Sequence, residues 1–193
     1  TDSGFGFLLE THQWQSDGFQ SIDRSSNNSG LDVEDYTLKL SYSPMNSAHA
    51  IELKLQATVQ NSNQSYLGLT DSDFSNRAFR RYGVSELDNI ETEHEQQILR
   101  YSYDINDSLD MSITAYNNEH QRNWFKTEGI DFDGSAAAKD FNRASWFNVI
   151  QAINNDTSLS GINPDQLQSI LDGSSDTATG SIQLRSNNRE YFS

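Results

Sequence analysis

The sequence predicts an all-β chain: an antiparallel transmembrane β-barrel segment of about six long strands, with short periplasmic turns, long extracellular loops and two short loop helices. Three observations lead there. Apolar and polar residues alternate with period two over stretches longer than a globular strand usually needs. Short and long connections take turns along the chain, as they do when all turns lie at one end of a barrel and all loops at the other. The composition is the third. Only 34% of the 193 residues are hydrophobic and 28 acidic side chains face 13 basic ones for a net charge of -15, yet 11% are aromatic. That is too little apolar mass for an ordinary soluble core and too many aromatics for a disordered chain. A barrel wall resolves the conflict. Lipid outside demands only an apolar belt, a hydrated interior accepts polar side chains, and closure satisfies the backbone.

The strands follow in order. Phe5, Phe7 and Leu9 share one face of the first, with Gly6, Glu10 and His12 on the other. Tyr36, Leu38, Leu40 and Tyr42 alternate with Thr37, Lys39 and Ser41 in the second, and Ile51 to Gln60 alternate almost without fault in the third. Gln97, Leu99, Tyr101, Tyr103 and Ile105 line the fourth, and Leu109, Met111, Ile113 and Ala115 the fifth. A final strand begins at Asn187. Ser43–Ala48 and Asn106-Asp107-Ser108 carry turn residues and join neighbouring strands tightly. Long connections follow Gln15, Gln60 and Thr127. The last, 127–186, holds a helix over Phe141 to Asn154 by its apolar spacing. It holds a second from Pro164 to Leu171, with Asn163 as N-cap and Gly173 as the stop. Residues 1–193 are thus expected to form one partial barrel domain. A soluble β-sandwich, whose second sheet would cover the apolar face, fits the same alternation and remains the rival.

Several function classes fall away. An acidic chain of pI about 4.4 lacks the clustered cations that neutralise phosphates, so nucleic acid is not an expected partner. Without cysteine there is no disulfide framework, zinc-thiolate site or thiol nucleophile. No apolar run is long enough for a membrane helix. No nucleophile elbow, phosphate loop, dinucleotide fingerprint or zinc-protease motif occurs, so neither an enzyme nor a bound cofactor is expected. No basic segment followed by an apolar one succeeds Thr1, so the numbering reads as beginning inside a longer chain.

Tyr66-Leu67-Gly68-Leu69-Thr70-Asp71-Ser72-Asp73-Phe74, Arg80-Arg81-Tyr82, Thr92-Glu93-His94, Ala115-Tyr116-Asn117-Asn118, Arg122-Asn123-Trp124-Phe125-Lys126 and Asn187-Asn188-Arg189-Glu190-Tyr191 occur in an order that resembles TonB-dependent outer-membrane receptors of the ferric-citrate-like branch. The resemblance covers most of the chain but none of 127–186. It implies a piece of a barrel of about twenty-two strands, in the outer membrane of a Gram-negative bacterium. The lipid bilayer and an iron chelate, of siderophore or ferric-citrate type, are its implied partners. TonB would act through an N-terminal plug that has no counterpart here.

The candidate ligand-binding residues are Arg80, Arg81, Arg77, Tyr66, Tyr82, His94, His120 and Arg122. A net charge of -15 repels an anionic chelate at long range, so recognition is expected from local guanidinium groups. Arg80 and Arg81 are the adjacent basic pair, and loop arginines paired with Asp71, Asp73 or Glu86 are the plainer expectation. His94, His120 and Arg122 fall on polar strand faces near the loop ends. A hydrogen-bonded polar wall is favoured there over a histidine metal site, and no metal ligand is assigned. Asp71-Ser72-Asp73 and Asp131-Phe132-Asp133-Gly134 lack the spaced oxygen ligands of a calcium loop. Tyr116, Trp124 and Phe125 are expected in an interfacial aromatic girdle.

Overall fold

Extended strands satisfy their backbone groups by pairing with neighbours, and the chain supplies these in sequence order. The computed structural model describes residues 3–132, 143–175 and 182–192. Its strands are β1 (Phe5–Ser16), β2 (Ser21–Ile22), β3 (Leu31–Tyr42), β4 (His49–Ser62), β5 (Arg80–Arg81), β6 (Asn89–Asn106), β7 (Leu109–Asp131), β8 (Arg143–Ser145) and β9 (Ile182–Phe192). Three helices are α1 (Asp71–Asn76), α2 (Trp146–Asn154) and α3 (Pro164–Leu171). The main sheet has seven strands in the order β1-β3-β4-β6-β7-β8, with β9 also on β7, and its long pairs are all antiparallel. It is mostly β and antiparallel, as expected, but it is not closed into a barrel.

The register decides which face each residue meets. Phe7, Leu40, Leu53, Leu99 and Ala115 stand directly opposite one another across five strands, as do Phe5, Tyr42, Ile51, Tyr101 and Ile113 one step away. These rows form an apolar face that nothing covers among the described residues: Phe7 and Leu9 are about three-quarters exposed. The second sheet, β2 with β5, pairs two residues with two and is built from loops, so it is no sandwich partner. The opposite face carries a cross-strand ladder. Asp35 accepts from Gln56 (3.0 Å) and Thr58 (2.8 Å), Lys54 donates to Gln56 and Gln96, and Gln96 donates to Asn118 (2.8 Å).

The hydrophobic core lies elsewhere, at the loop end. Tyr82 and Val84 from the connection before β6 pack with Ile130, Ala144, Trp146, Val149, Leu167, Ile170 and Leu171. Helix α2 starts at Trp146 rather than Phe141, because Ser145 caps it and 143–145 pair with β7; Phe141 itself lies outside the described residues. Helix α3 has the expected bounds, with the Asn163 side chain accepting from the Gln166 amide. β7 runs on to Asp131 and β9 begins at Ile182, so the loop expected at 127–186 is narrowed to 132–181. Tyr116 and Trp124 point to the polar face, opposite Ile98 and Ile90, which corrects their expected place in a girdle. The apolar face carries Phe5, Phe7, Tyr36, Tyr42, Tyr101, Tyr103 and Phe125, with Tyr103 stacked on His49 at 4.4 Å.

An uncovered apolar face of this breadth, bounded by strand edges, recruits whatever will cover it. The isolated chain is expected to associate in plain buffer and to disperse in detergent. Light scattering checks this, and a monodisperse monomer without detergent would contradict it.

Candidate functional site

The eight residues singled out from sequence separate into two groups. Arg80, Arg81, Tyr82 and Arg77 belong to the loop cluster. Arg80 lies flat between two carboxylates, donating through Nε to Asp23 at 2.6 Å and through Nη1 to Asp73 at 2.6 Å, with its guanidinium carbon 4.9 Å from the centre of the Tyr82 ring. Its side chain is 10% exposed. Arg81 is more deeply held. It is 2% exposed and donates to the Asn63 carbonyl at 2.6 Å, to the Ser85 hydroxyl and carbonyl, and to the Asp88 carbonyl at 3.3 Å. Tyr82 is buried and gives its hydroxyl proton to Asp73 at 2.6 Å. Arg77 remains mostly exposed, 3.6 Å from Asp23.

Arg80 and Arg81, the pair expected to lead in ligand binding, are both engaged within the chain. Both are turned inward, and their donors are occupied by the chain's own oxygens. Their role is to tie three loops together. Arg80 and Arg81 form β5 against β2 of the first loop, and Gln168 of α3 reaches Asp73 at 3.1 Å. Gly83 marks the closest approach: a Cβ there would stand 2.5 Å from the Asp172 carbonyl oxygen and 2.8 Å from that of Asp23. Asp88 completes the anchor to the sheet, accepting from Ser65, from the Thr127 amide at 2.6 Å and from the Thr127 hydroxyl. Burial pushes the Asp88 carboxyl up against these donors. Burial also works to raise Asp73, but the Tyr82 hydrogen bond and the Arg80 charge outweigh it and hold this carboxyl below its ordinary value. Beside the cluster, a cavity of about 590 Å³ opens between α1 and α3, lined by Asp71, Asp73, Asp156 and Asp165 among others.

Tyr66, His94, His120 and Arg122 are brought together, on the polar face of β6, β7 and β9 just below that cap. His94 faces His120 directly across the strands, with ring centres 5.9 Å apart. Tyr66 donates to the Thr127 carbonyl and meets the Trp124 ring edge-on at 6.0 Å. Three residues that the sequence had not marked complete this wall. Lys126 Nζ sits 4.6 Å from the Tyr66 ring centre and 4.7 Å from that of Trp124, with Glu128 3.4 Å away. Arg189 is opposite Arg122, and Tyr191 is opposite His120. The signal for Lys126, Arg189 and Tyr191 was their shared parity with Arg122 and His120, visible once the register is known.

In the upper part of β6, β7 and β9 charge is sorted by face: Arg122, Lys126 and Arg189 have polar-face parity, whereas Glu91, Glu93, Glu95, Glu119 and Glu190 continue the apolar face. Lower down the polar face carries both signs, Lys39, Lys54 and Arg100 with Glu10, Asp35 and Glu52. Among the described residues no trio of His, Asp or Glu converges as a metal site. Fold and site together define an open antiparallel sheet with one apolar face and, at its loop end, a cap beside a cationic and aromatic wall. No family model, curated protein or solved structure matches the chain.

Two outcomes test the loop cluster. Arg81→Ala strands buried carbonyl oxygens and is expected to cost about 2–4 kcal/mol of cap stability, read by denaturant unfolding monitored at the buried Trp146. Asp73 stabilises the cap fully above its unfolded value of about 3.9, and that contribution is lost as pH falls through the lower folded value. Acid titration of Trp146 fluorescence should show a transition below pH about 3.9 that Asp73→Asn removes; an unchanged transition would assign it to another group.

Proposed function

We propose that this chain is part of the barrel wall of an outer-membrane receptor that imports an anionic iron chelate with TonB-supplied energy. One observation carries the proposal: the sheet separates an uncovered apolar face from a polar face that holds its lysines and arginines. From Ile51 to Val59 the apolar stretch is about 27 Å of strand at about 3.4 Å per residue, which at a barrel tilt of about 40° spans about 20 Å of the belt of about 25 Å that a barrel presents to lipid. Above the belt, β6 and β7 continue with both faces polar, as strands do when they leave the bilayer for water. The residues that resemble such receptors support the same reading. Arg80-Arg81-Tyr82 and the 66–74 stretch build the loop cap, and Arg122 to Lys126 build the wall beneath it.

On this reading the apolar face meets lipid, the polar face lines the transport lumen, and the cap covers the outer mouth. The ligand is held by Arg122, Arg189 and Lys126, whose charges are met by ligand carboxylates, while Trp124 and Tyr66 present ring faces beside them. Binding at the mouth would then be followed by plug rearrangement, which lies in another part of the receptor.

Two measurements on the complete receptor test it. Replacing Arg122 and Arg189 with Ala should lower affinity for an anionic ferric chelate by about 1.5–3 kcal/mol per lost charge-assisted contact, by titration in detergent. Arg77→Ala, at the exposed loop arginine, should leave affinity unchanged. Equal affinity in the double variant and wild type would place the ligand elsewhere. Leu53→Arg, in the middle of the apolar rows, should destabilise the protein in lipid vesicles by about 2–4 kcal/mol. Gln56→Arg on the opposite face should cost far less, and equal costs would remove the lipid-facing assignment.

A further inference from the structure

We propose that His94, His120 and Tyr191 form a binding site for a first-row transition-metal ion on the polar face, independent of any chelate.

The three side chains occupy one transverse row. His94 on β6 is paired with His120 on β7, and His120 is paired with Tyr191 on β9, so all three leave the sheet on the same side. The rings are already close: 5.9 Å between the histidine centres, inclined at 71°, and 6.0 Å between His120 and Tyr191. Edge-to-face imidazoles at this spacing can turn one nitrogen each toward a shared point by side-chain rotation alone, because the backbone register fixes both Cα positions. Both histidines are half-buried and make ring contacts with one another and with Tyr191.

The third group makes the donor set specific. A phenol binds metal as phenolate, and the Tyr191 hydroxyl already accepts from Arg189 at 3.3 Å. Two imidazoles and a phenolate suit Cu²⁺, Fe³⁺ or Zn²⁺ and do not suit Ca²⁺ or Mg²⁺, which prefer oxygen alone. The flanking row carries Arg122 and Arg189, and the row on the other side carries Gln96 and Asn118. The guanidinium groups oppose a cation but favour an anionic co-ligand at its open positions. On binding, two nitrogen lone pairs and one phenolate oxygen bond to the metal and the phenol proton goes to solvent.

The test uses the complete protein in detergent, stripped of metal and chelate, with Cu²⁺ as the probe because it heads the affinity order for nitrogen donors. One equivalent should bind. The spin-resonance spectrum should show coupling to two nitrogens, and the optical spectrum a phenolate-to-copper charge-transfer band. His94→Ala and His120→Ala should each weaken binding by about tenfold or more, since even outer partners of metal ligands are worth that much. Tyr191→Phe should keep the nitrogen coupling and lose the band, which a merely structural tyrosine would not do. If wild type lacks the two-nitrogen signal, or if the double histidine variant binds copper as tightly as wild type, the site does not exist. Because no chelate is present, either result leaves the anion-binding assignment of Arg122 and Arg189 standing on its own test.

Discussion

Strand register is the constraint on which everything else in this molecule rests. With a side-chain period of two, a slip of one residue in any pair would carry Leu40, Leu53 or Leu99 to the wrong face and bring Lys39, Lys54 or Arg100 among them. Tight turns at Ser43–Ala48 and Asn106–Ser108 set that register from one end. The other end is then free to carry long insertions, because closing a longer loop between strands already in register adds little entropy cost. The asymmetry of the connections is thus a physical division of labour. Short turns define the sheet, and long loops build something on it.

What they build is the molecule's own hydrophobic core. The sheet has an apolar face but buries little of it, whereas Ile130, Val149, Leu167, Ile170 and Leu171 are almost wholly excluded from water. The cap is joined to the sheet through polar groups. Thr127 near the end of β7 offers its amide and hydroxyl to Asp88, and its carbonyl accepts from both Tyr66 and Trp146. Arg81 closes the same region by drawing in the carbonyls of Asn63, Ser85 and Asp88. Hydrogen bonds of this kind are directional, so the cap is positioned over one end of the polar face.

The apolar rows were legible in the sequence because a sheet with one apolar face leaves a binary pattern. The upper strands were less so. Glu91 to Gln96 and Asn117 to Arg122 are polar on both faces, and without alternation nothing distinguishes such a strand from a loop. The two-residue pairing of β2 with β5 is shorter than any periodicity. The burial of Arg80 and Arg81 was hidden for a different reason. Adjacent cations in an acidic chain look like a ligand site, and Arg80's partner Asp23 lies far away in sequence, in another loop. Asp73 stood nearer, and pairing with it was the plainer expectation. What could not be anticipated is that the pair would be buried.

The same sorting bears on net charge, which at -15 argues against an anion approaching at all. A sum over the chain weights every charge equally, but an approaching ligand does not. The acidic side chains Glu91, Glu93, Glu119 and Glu190 leave β6, β7 and β9 on the face away from Arg122, Lys126 and Arg189. Side chains on opposite faces of a sheet are separated by about 10 Å, comparable with the screening length of about 8 Å at physiological ionic strength. Arg122 and Arg189 are therefore felt strongly by a molecule against the polar face and the carboxylates behind the sheet only weakly, whereas Lys126 is partly met by Glu128 at 3.4 Å. A chain can be acidic in bulk and still offer a cationic wall, provided that period two keeps the signs apart.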